Sequence, residues 1–198
     1  INDIPAISKL CDSEKIPFHS DMVQIFGKHR VNLSGAEKYV DFMSVSMHKL
    51  YGAMGIGMLI IRKALIEKLG IQALICGKQQ GSLRGGTENV PAIATIESTI
   101  RDNFARRDAK NRHMIKMREF LLSHLREEFI VRNYLDKDKE IQVESLMMAE
   151  ILVIGNRDFD KMLPNTLLMA VVPYRKKKFC NIELKKDLDA EGIVVSIG

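Results

Sequence analysis

The sequence predicts an α/β protein, and three features support that prediction. Short apolar runs typical of buried strands alternate with segments whose apolar residues recur at helical spacing. Glycines such as Gly70 and Gly192 close the helical segments. Hydrophobic residues make up 46% of the 198 positions, which is enough to bury a core. We therefore expect at least one sheet packed against helices.

Residues 1–104 carry the clearest alternation of helices and strands. Apolar residues at helical spacing open the chain, and a short strand follows that ends at Asp21. A central apolar run begins at Tyr39 and breaks at Ser46 into a loop that contains Lys49. The predicted elements, in chain order, are a helix over residues 5–15, a strand over 16–19, a helix over 22–28 that stops at Gly27, the central strand from 39, a buried strand over 55–61, and a helix over 64–69.

A glycine-rich loop separates this region from a long predicted helix. Residues 77–89 read G-K-Q-Q-G-S-L-R-G-G-T-E-N, and such a backbone approaches a ligand closely and points N–H groups at an anion. From Ile96 to about Arg132 apolar residues recur on a helical period, with charged residues between them. We expect this helix to cross between two domains, over residues 1–104 and 105–198.

The second domain is predicted to be small and to mix helices with strands. Its predicted elements are a charged surface loop over residues 136–140, a mixed segment over 145–153, a strand over 166–172, a helix over 181–191 with Ile182, Leu184 and Leu188 facing inward, and a final strand over 193–195. The chain begins at Ile1 and stops directly after that strand-like run. We expect it to be part of a longer protein.

Composition limits the classes of function. The formal net charge of +5 and the pI near 9.1 serve an anionic ligand or a nucleic acid equally well, but the basic run at 175–178 lacks interleaved aromatic residues and is predicted to be a solvated loop. Three widely spaced cysteines indicate neither a disulfide framework nor a zinc site. Apolar runs fall short of the ~20 residues of a membrane span. We expect a cytoplasmic protein without bound metal, nucleic acid or membrane.

Asp21 and Lys49 each follow the end of a predicted strand. In open α/β sheets the ligand crevice lies past the carboxyl ends of strands, so a carboxylate and an amine would converge there if the strands are neighbours, with Gln24 one helical turn beyond Asp21. Pyridoxal phosphate requires such a set: a lysine for its imine, a carboxylate that keeps the ring nitrogen protonated, and donors for its phosphate. Ser46, His48 and the glycine-rich loop are candidate donors.

Each of these residues also has a purely structural interpretation. Lys49 is compatible with a solvated loop, and Asp21 with the N-cap of the following helix. Thr87 is compatible with the cap of a helix that starts near Glu88, and Arg84 with a brace for its loop through a carboxylate. The eleven methionines are best explained as core filling.

Five blocks of the sequence, in register, resemble one known family. They are F-H-S-D-M-V-Q-I-F-G-K from residue 18, S-M-H-K-L-Y-G from 46, S-L-R-G-G-T-E-N-V-P from 82, L-P-N-T-L from 163 and G-I-V-V-S-I-G from 192. They look like consecutive blocks of the NifS/IscS-type cysteine desulfurases, which belong to class V of the pyridoxal-phosphate aminotransferase superfamily. The resemblance implies an aspartate aminotransferase-like fold of type I, here with part of the large domain and a small carboxyl-terminal α+β domain.

The resemblance also implies roles for individual residues. Lys49 matches the Schiff-base lysine, Asp21 the partner of the pyridine nitrogen and Gln24 the group that bonds the ring oxygen. Ser46 and His48 match phosphate contacts within the subunit. The remaining match is Thr87, whose counterpart reaches the phosphate of the other subunit, so a homodimer is implied.

The implied reaction converts L-cysteine to L-alanine and passes sulfur through a cysteine persulfide to an acceptor protein. The family pattern includes an amino-terminal half before Ile1 and a catalytic cysteine after Gly198, so activity of these 198 residues alone is not expected. Departures from the pattern are Ala53 and Met54 after Tyr-Gly, and Gln80 in place of a glutamate. The alternatives are another class V enzyme, such as a selenocysteine lyase or a transaminase, and a degenerate relative that keeps the fold as an interaction protein.

Overall fold

The computed structural model describes residues 2–35, 37–138, 149–156, 158, 161–173 and 180–197. The chain divides into two compact units, Ile1–Met114 and Ile115–Gly198. Each unit contains one three-stranded sheet. The sequence placed the boundary near residue 104, whereas this division falls at Met114, so both interpretations put it inside the long helix.

The sheet of the first unit has the strand order β1 (His19–Asp21), β2 (Phe42–Ser46), β3 (Gly57–Ile61). Strands β1 and β2 are parallel, with Asp21 opposite Ser44, and β3 runs antiparallel to β2, with Gly57 opposite Ser46. The carboxyl ends of β1 and β2 therefore meet at one edge of the sheet, as the sequence analysis required. The prediction of a fully buried third strand is wrong, because residues of β3 alternate between partly buried and exposed, and Leu59 is exposed.

Methionine and valine fill the core beneath this sheet. Met43 and Val45 point inward from β2, and Met22 and Met47, which lie just beyond the strand ends, are almost completely inaccessible to solvent. Unbranched methionine side chains fill irregular gaps where a strand gives way to a turn. Core filling is therefore confirmed for these methionines, although Met54 is exposed.

Helices surround the first sheet, and their ends follow the local sequence. Helix α1 (Ile4–Ser13) is capped by Asp3, whose side chain accepts a hydrogen bond from the Ala6 N–H, and it confirms the predicted first helix. Helix α2 (Lys63–Lys68) ends before Gly70, which adopts a left-handed φ of 58°. Two shorter helices follow, α3 (Gln79–Ser82) and α4 (Val90–Ala94).

Helix α5 (Ile96–Glu128) is 33 residues long and contributes residues to both units. Its length confirms the predicted helix, except that its end at Glu128 precedes a strand that the sequence analysis did not separate from it. Ion pairs one turn apart, Arg101 with Glu97 and Arg106 with Asp102, line its exposed surface. In the part of the chain that the structure describes, no helix has the length and apolar character that a membrane crossing requires.

The second unit contains β4 (Ile130–Asn133), β5 (Ala149–Ile154), β6 (Leu168–Pro173) and α6 (Asn181–Ala190). Strand β5 lies in the middle, parallel to β4 and antiparallel to β6, and its first five residues are buried. Arg132 on β4 forms an ion pair with Glu150, so the charge of the nearly inaccessible Glu150 carboxylate is compensated. The predicted strand over 166–172 and helix over 181–191 are confirmed with small shifts at their ends.

Three further predictions are wrong. Residues 22–28 form turns rather than a helix, with a positive φ of 80° at Gly27. Ile182 is exposed rather than inward-facing, and no strand forms at 193–195, where Val194 is 86% exposed. The basic run at 175–178 and most of the mixed segment at 145–153 lie outside the described residues.

Candidate functional site

The site begins with the carboxyl ends of β1 and β2, which carry polar side chains on the face opposite the core. Because paired residues in neighbouring strands point to the same face, Asp21 lies beside Ser44, and His19 and Ser46 extend that face in either direction. The His19 Nε2 and the Ser44 Oγ share a hydrogen bond of 2.7 Å. The sequence analysis assigned no direct role to His19, and Ser44 was not considered.

Lys49 lies in a 3₁₀ turn, Met47–Leu50, that directly follows β2. Residues three apart lie above one another in a 3₁₀ helix, so Met47 and Leu50 share one side. These two side chains are 1% and 3% exposed, whereas His48 and Lys49 between them are exposed. The sequence predicted a loop here. The structure has a 3₁₀ turn instead, which also leaves His48 and Lys49 exposed.

The backbone around this turn is tied to neighbouring segments. The Met47 N–H donates to the carbonyl oxygen of Ile56, and the Gly52 N–H donates back to the carbonyl oxygen of Met47 at 2.9 Å. Tyr51 ends the turn in the left-handed region, at φ 63°. Ser46 Oγ and His48 Nδ1 share a hydrogen bond of 2.7 Å, which fixes the imidazole beside the hydroxyl. Two candidate phosphate donors are therefore adjacent at the end of β2.

Asp21 is positioned by the chain that follows it. Its Oδ1 accepts a hydrogen bond of 2.8 Å from the Val23 N–H, which forms a turn around the carboxylate. Asp21 caps that turn rather than a helix, because no helix forms at 22–28. The Phe26 N–H donates to the Met22 carbonyl oxygen at 2.8 Å, so the segment makes a helical turn before Gly27 reverses it. Asp21 thus stays at the exposed edge of the sheet.

Lys28 is a residue of this site that the sequence analysis did not single out. Its Nζ donates to the carbonyl oxygen of Gln24 at 2.7 Å, across the same turn. Burial lowers the pKa of Lys28 below its usual 10.5, and the nearby charge of Lys49 lowers it further. Two ammonium groups within electrostatic reach of each other favour an anionic ligand at this edge. In the sequence, the one indication of this contact is that Lys28 follows Gln24 by four residues, the spacing of one helical turn.

The glycine-rich loop at 77–89 is a separate structure. Gly85 packs so closely on the Cys76 carbonyl that a Cβ would collide with it, and the Gly85 N–H donates to the Ile75 carbonyl oxygen. The Gln80 side chain donates to Glu88 at 3.3 Å across the loop. Thr87 is exposed near the end of this loop.

Two structural interpretations of this loop are wrong. The cap of α4 is Asn89, whose Oδ1 accepts from the Ala92 N–H, and Thr87 does not take that role. Arg84 donates to the backbone carbonyl of Gly85 at 2.6 Å, where a carboxylate was expected. The strand pairing thus brings Asp21, Ser46, His48 and Lys49 to one edge of the sheet, with Gln24 in the turn after Asp21, while Thr87 belongs to another loop.

The geometry agrees with what comparisons of sequence and structure reveal. Residues 1–169 match the family model of class V aminotransferases. The chain is 35% identical over 163 residues to cysteine desulfurase IscS of Mannheimia succiniciproducens, an alignment of 75% of this chain and 39% of that protein. It is 31% identical over 171 residues to IscS of Neisseria meningitidis, covering 86% of this chain and again 39% of the relative.

A solved structure of a NifS-like protein from Rickettsia africae superposes with a TM-score of 0.74 at 27% identity, and the match covers 99% of this chain and 46% of that one. The chain therefore spans less than half the length of these relatives. The expected fold of type I is confirmed, with mixed sheets and a partial domain. The sequence match and the superposition both identify the chain as a member of the class V aminotransferase family.

Proposed function

We propose that this protein is a pyridoxal-phosphate enzyme of the cysteine desulfurase type, which converts L-cysteine to L-alanine. Class V aminotransferases and cysteine desulfurases depend on that cofactor. The parallel pairing of β1 with β2 supports the proposal most directly, because it gives Asp21 and Lys49 a common sheet edge. The names of the relatives support the choice of reaction within the family.

The chemistry of the groups at this edge fits the cofactor. A carboxylate, a primary amine, a hydroxyl, an imidazole and an amide follow the ends of two adjacent strands. Pyridoxal phosphate carries a basic ring nitrogen, an aldehyde, a ring oxygen and a dianionic phosphate, and each has a complementary group here. The proximity of Lys28 and Lys49 supports the binding of an anion.

The residues then have distinct roles. Lys49 would hold the cofactor covalently through its aldehyde, and its amine is the group that would move the substrate α-proton. The Asp21 carboxylate would keep the ring nitrogen protonated through a charge-assisted hydrogen bond, and the Gln24 amide would donate to the ring oxygen. Ser46 and His48 would donate to the phosphate. When bound, the cofactor supplies an electron-accepting ring that makes the α-carbon acidic.

The proposal extends to a second subunit and to a sulfur acceptor. Thr87 would donate to the phosphate bound by another copy of the chain, so the enzyme would be a homodimer. Sulfur leaves L-cysteine as L-alanine forms, and an enzyme thiol takes it as a persulfide, which balances the reaction without an external oxidant. That thiol is a cysteine of the family pattern other than Cys11, Cys76 and Cys180, and a sulfur-acceptor protein would discharge it.

Borohydride trapping tests the role of Lys49. The protein, in the longest form that its gene encodes, is incubated with pyridoxal phosphate, reduced and digested, and the modified peptide is identified by mass spectrometry. We expect the pyridoxyl group on Lys49, and its loss in Lys49→Ala but not in Lys63→Ala, an exposed lysine of α2. Modification of a different lysine would overturn the assignment.

Substrate assays separate the alternatives. Release of L-alanine from L-cysteine, together with sulfide when a thiol reductant is added to reduce the persulfide, supports the desulfurase. Turnover of selenocysteine alone, or of an amino donor and keto acid, indicates another class V activity. An absence of cofactor absorbance in the full-length protein would favour the interaction protein. The departures at Ala53, Met54 and Gln80 motivate this last alternative.

A further inference from the structure

The turn that carries Lys49 is anchored by a side chain from far along the chain. Asn103 lies on α5, is 6% exposed, and its Nδ2 donates to the Leu50 carbonyl oxygen at 2.6 Å. Leu50 directly follows Lys49 and is itself buried. No local pattern singles out Asn103, because an asparagine within a charged helix is usually a surface residue.

The Leu50 carbonyl lies at the end of the 3₁₀ turn and accepts this hydrogen bond from outside it. Carbonyls in the last turn of a helix have no partner within that helix, and a buried carbonyl without a donor is costly. Tyr51 turns the chain away in the left-handed conformation, so the helix does not continue to satisfy it. The Asn103 amide takes the place of the missing next turn.

Other residues of α5 contact the chain just beyond Lys49. The Lys110 Nζ lies 5.0 Å from the centre of the Tyr51 ring, and a Cβ at Gly52 would lie 3.0 Å from the Thr99 Cγ2. Helix α5 therefore contacts three consecutive residues after Lys49, at Leu50, Tyr51 and Gly52. Among these contacts, Asn103 provides the buried hydrogen bond.

The turn that follows Asp21 also packs against Leu50 and Asn103. A Cβ at Gly27 would collide with the Leu50 Cδ2 and would lie 3.5 Å from the Asn103 Oδ1. Gly27 also has φ 80°, a conformation that favours glycine. The segment that bears Gln24 therefore packs directly on Leu50, so the position of Leu50 affects both strand ends of the site.

A second buried polar side chain of α5 donates to a segment that carries none of the candidate site residues. Arg118 is 6% exposed, as Asn103 is, and its Nη1 donates to the Leu163 carbonyl oxygen at 3.2 Å. Arg118→Met is therefore a control for the general effect of removing a buried donor of α5.

We propose that Asn103 is a positioning residue that sets the orientation of Lys49 through the Leu50 carbonyl. The inference rests on the proposed function, since it assigns Asn103 to the formation of the Lys49 link. Small displacements of a reacting group cost large factors in rate, up to about a hundredfold for roughly 1 Å. Loss of the Asn103 bond is therefore expected to slow formation of the cofactor link by about tenfold or more.

The test compares Asn103→Leu, Asn103→Gln and Arg118→Met in the full-length protein. Leucine matches asparagine in size and removes the donor, whereas glutamine keeps the amide. Pyridoxal phosphate is added to the cofactor-free protein, and the growth of the visible absorbance gives the rate, with borohydride trapping to locate it on Lys49. The pH midpoint of that absorbance and the thermal unfolding midpoint are recorded for each variant.

We expect Asn103→Leu to slow linkage and to shift its pH midpoint, and Asn103→Gln to recover most of the rate. Arg118→Met should lower the unfolding midpoint with little change in linkage. Equal linkage rates in Asn103→Leu and Arg118→Met would overturn the proposal. If Asn103→Leu does not unfold cooperatively, Asn103→Ser replaces it in the same comparison. An unmodified protein that forms no link at Lys49 would instead contradict the proposed function.

Discussion

Two segments of the first unit are candidates to contact the same cofactor, and they are built differently. The segment from β2 to Gly52 is fixed by side chains: Met43, Val45, Met47 and Leu50 are all buried. In the loop at 77–89 the one buried residue is Gly85. The two ends of that loop are held together by the close packing of the Gly85 backbone on Cys76 and by a few polar contacts. Gln80 and Ser82 there adopt positive φ angles of 50° and 63°.

The difference separates two ways of placing a functional group. The buried residues of the first unit position Lys49. Its location therefore depends on packing within this unit and needs no second subunit. Thr87 lies in a loop with strained backbone and little buried surface, and such regions have low local stability. This contrast supports the proposal that Thr87 acts in contact with a second subunit, whose surface would fix the loop.

The largest expected effect comes from the packed segment. Leu50→Ala should lower the free energy of unfolding by about 2–5 kcal/mol, because it leaves a cavity beneath the Lys49 turn. Leu74→Ala, at a leucine that is 98% exposed just before the loop, should change it by less than about 0.5 kcal/mol. Denaturant titrations of both variants measure the difference. Similar losses in the two would show that the Leu50 packing is not distinctive.

A smaller effect is expected in the loop. Gly85→Ala should cost about 1–3 kcal/mol, because the new methyl group would meet the Cys76 carbonyl and, at 2.7 Å, the Gly77 nitrogen. Gly81 has open space around it but a φ of 63°, so Gly81→Ala should cost about 1 kcal/mol from backbone strain alone.

Asparagine distinguishes the two causes, since it tolerates the left-handed conformation and is larger than alanine. Gly81→Asn should recover part of the stability that Gly81→Ala loses, whereas Gly85→Asn should be worse than Gly85→Ala. Thermal unfolding of the four variants checks this order. Recovery at Gly85 would contradict the close backbone approach.

The smallest effect concerns pH. Because the pKa of Lys28 is lowered in the folded state, the unfolded state binds more protons between that lowered pKa and 10.5. The unfavourable contribution of Lys28 is therefore fully present below the lowered pKa and disappears as the pH rises through that window. Lys49→Met should raise the pKa of Lys28 only in part, since burial is the larger cause.

Carbon-13 NMR titration of the lysine Cε signals measures that change, and Lys63→Met provides the control. A Lys28 signal that titrates identically with and without Lys49 would show that the two ammonium groups do not interact. If Lys49→Met restored more than half of the lowering of the Lys28 pKa, burial would not be its main cause.

The sequence alone predicts the elements that are defined by the periodicity of their apolar residues or by several motifs in a fixed order. Helix α5 has a clear helical period over nine turns, and the strand that delivers Lys49 is apolar and ends at polar residues. These are properties of local pattern, which one sequence expresses directly. The adjacency of β1 and β2 was only a condition of the predicted site, and the observed parallel pairing fulfils that condition.

The errors occur where tertiary contacts decide. Apolar residues at 22–28 fit a helix, but the packing of Gly27 against Leu50 favours turns. The run at 193–195 has strand-like composition, yet strand formation requires a partner, and Val194 is exposed instead. Strand β4 was read as the end of α5 because its apolar residues continued the helical count. The role of Asn103 depends on a bond across 53 residues, which no local pattern reveals.

The 3₁₀ turn at Met47–Leu50 assigns packing and exposure to alternate pairs of positions. Its two outer positions are buried, and its two inner positions, His48 and Lys49, are exposed and carry the proposed functional groups. Substitutions at 48 and 49 would therefore leave the interior unchanged, whereas a single insertion between 47 and 50 would bury the wrong side chains. Under the proposed function, a relative that lost the lysine would retain the architecture of this turn.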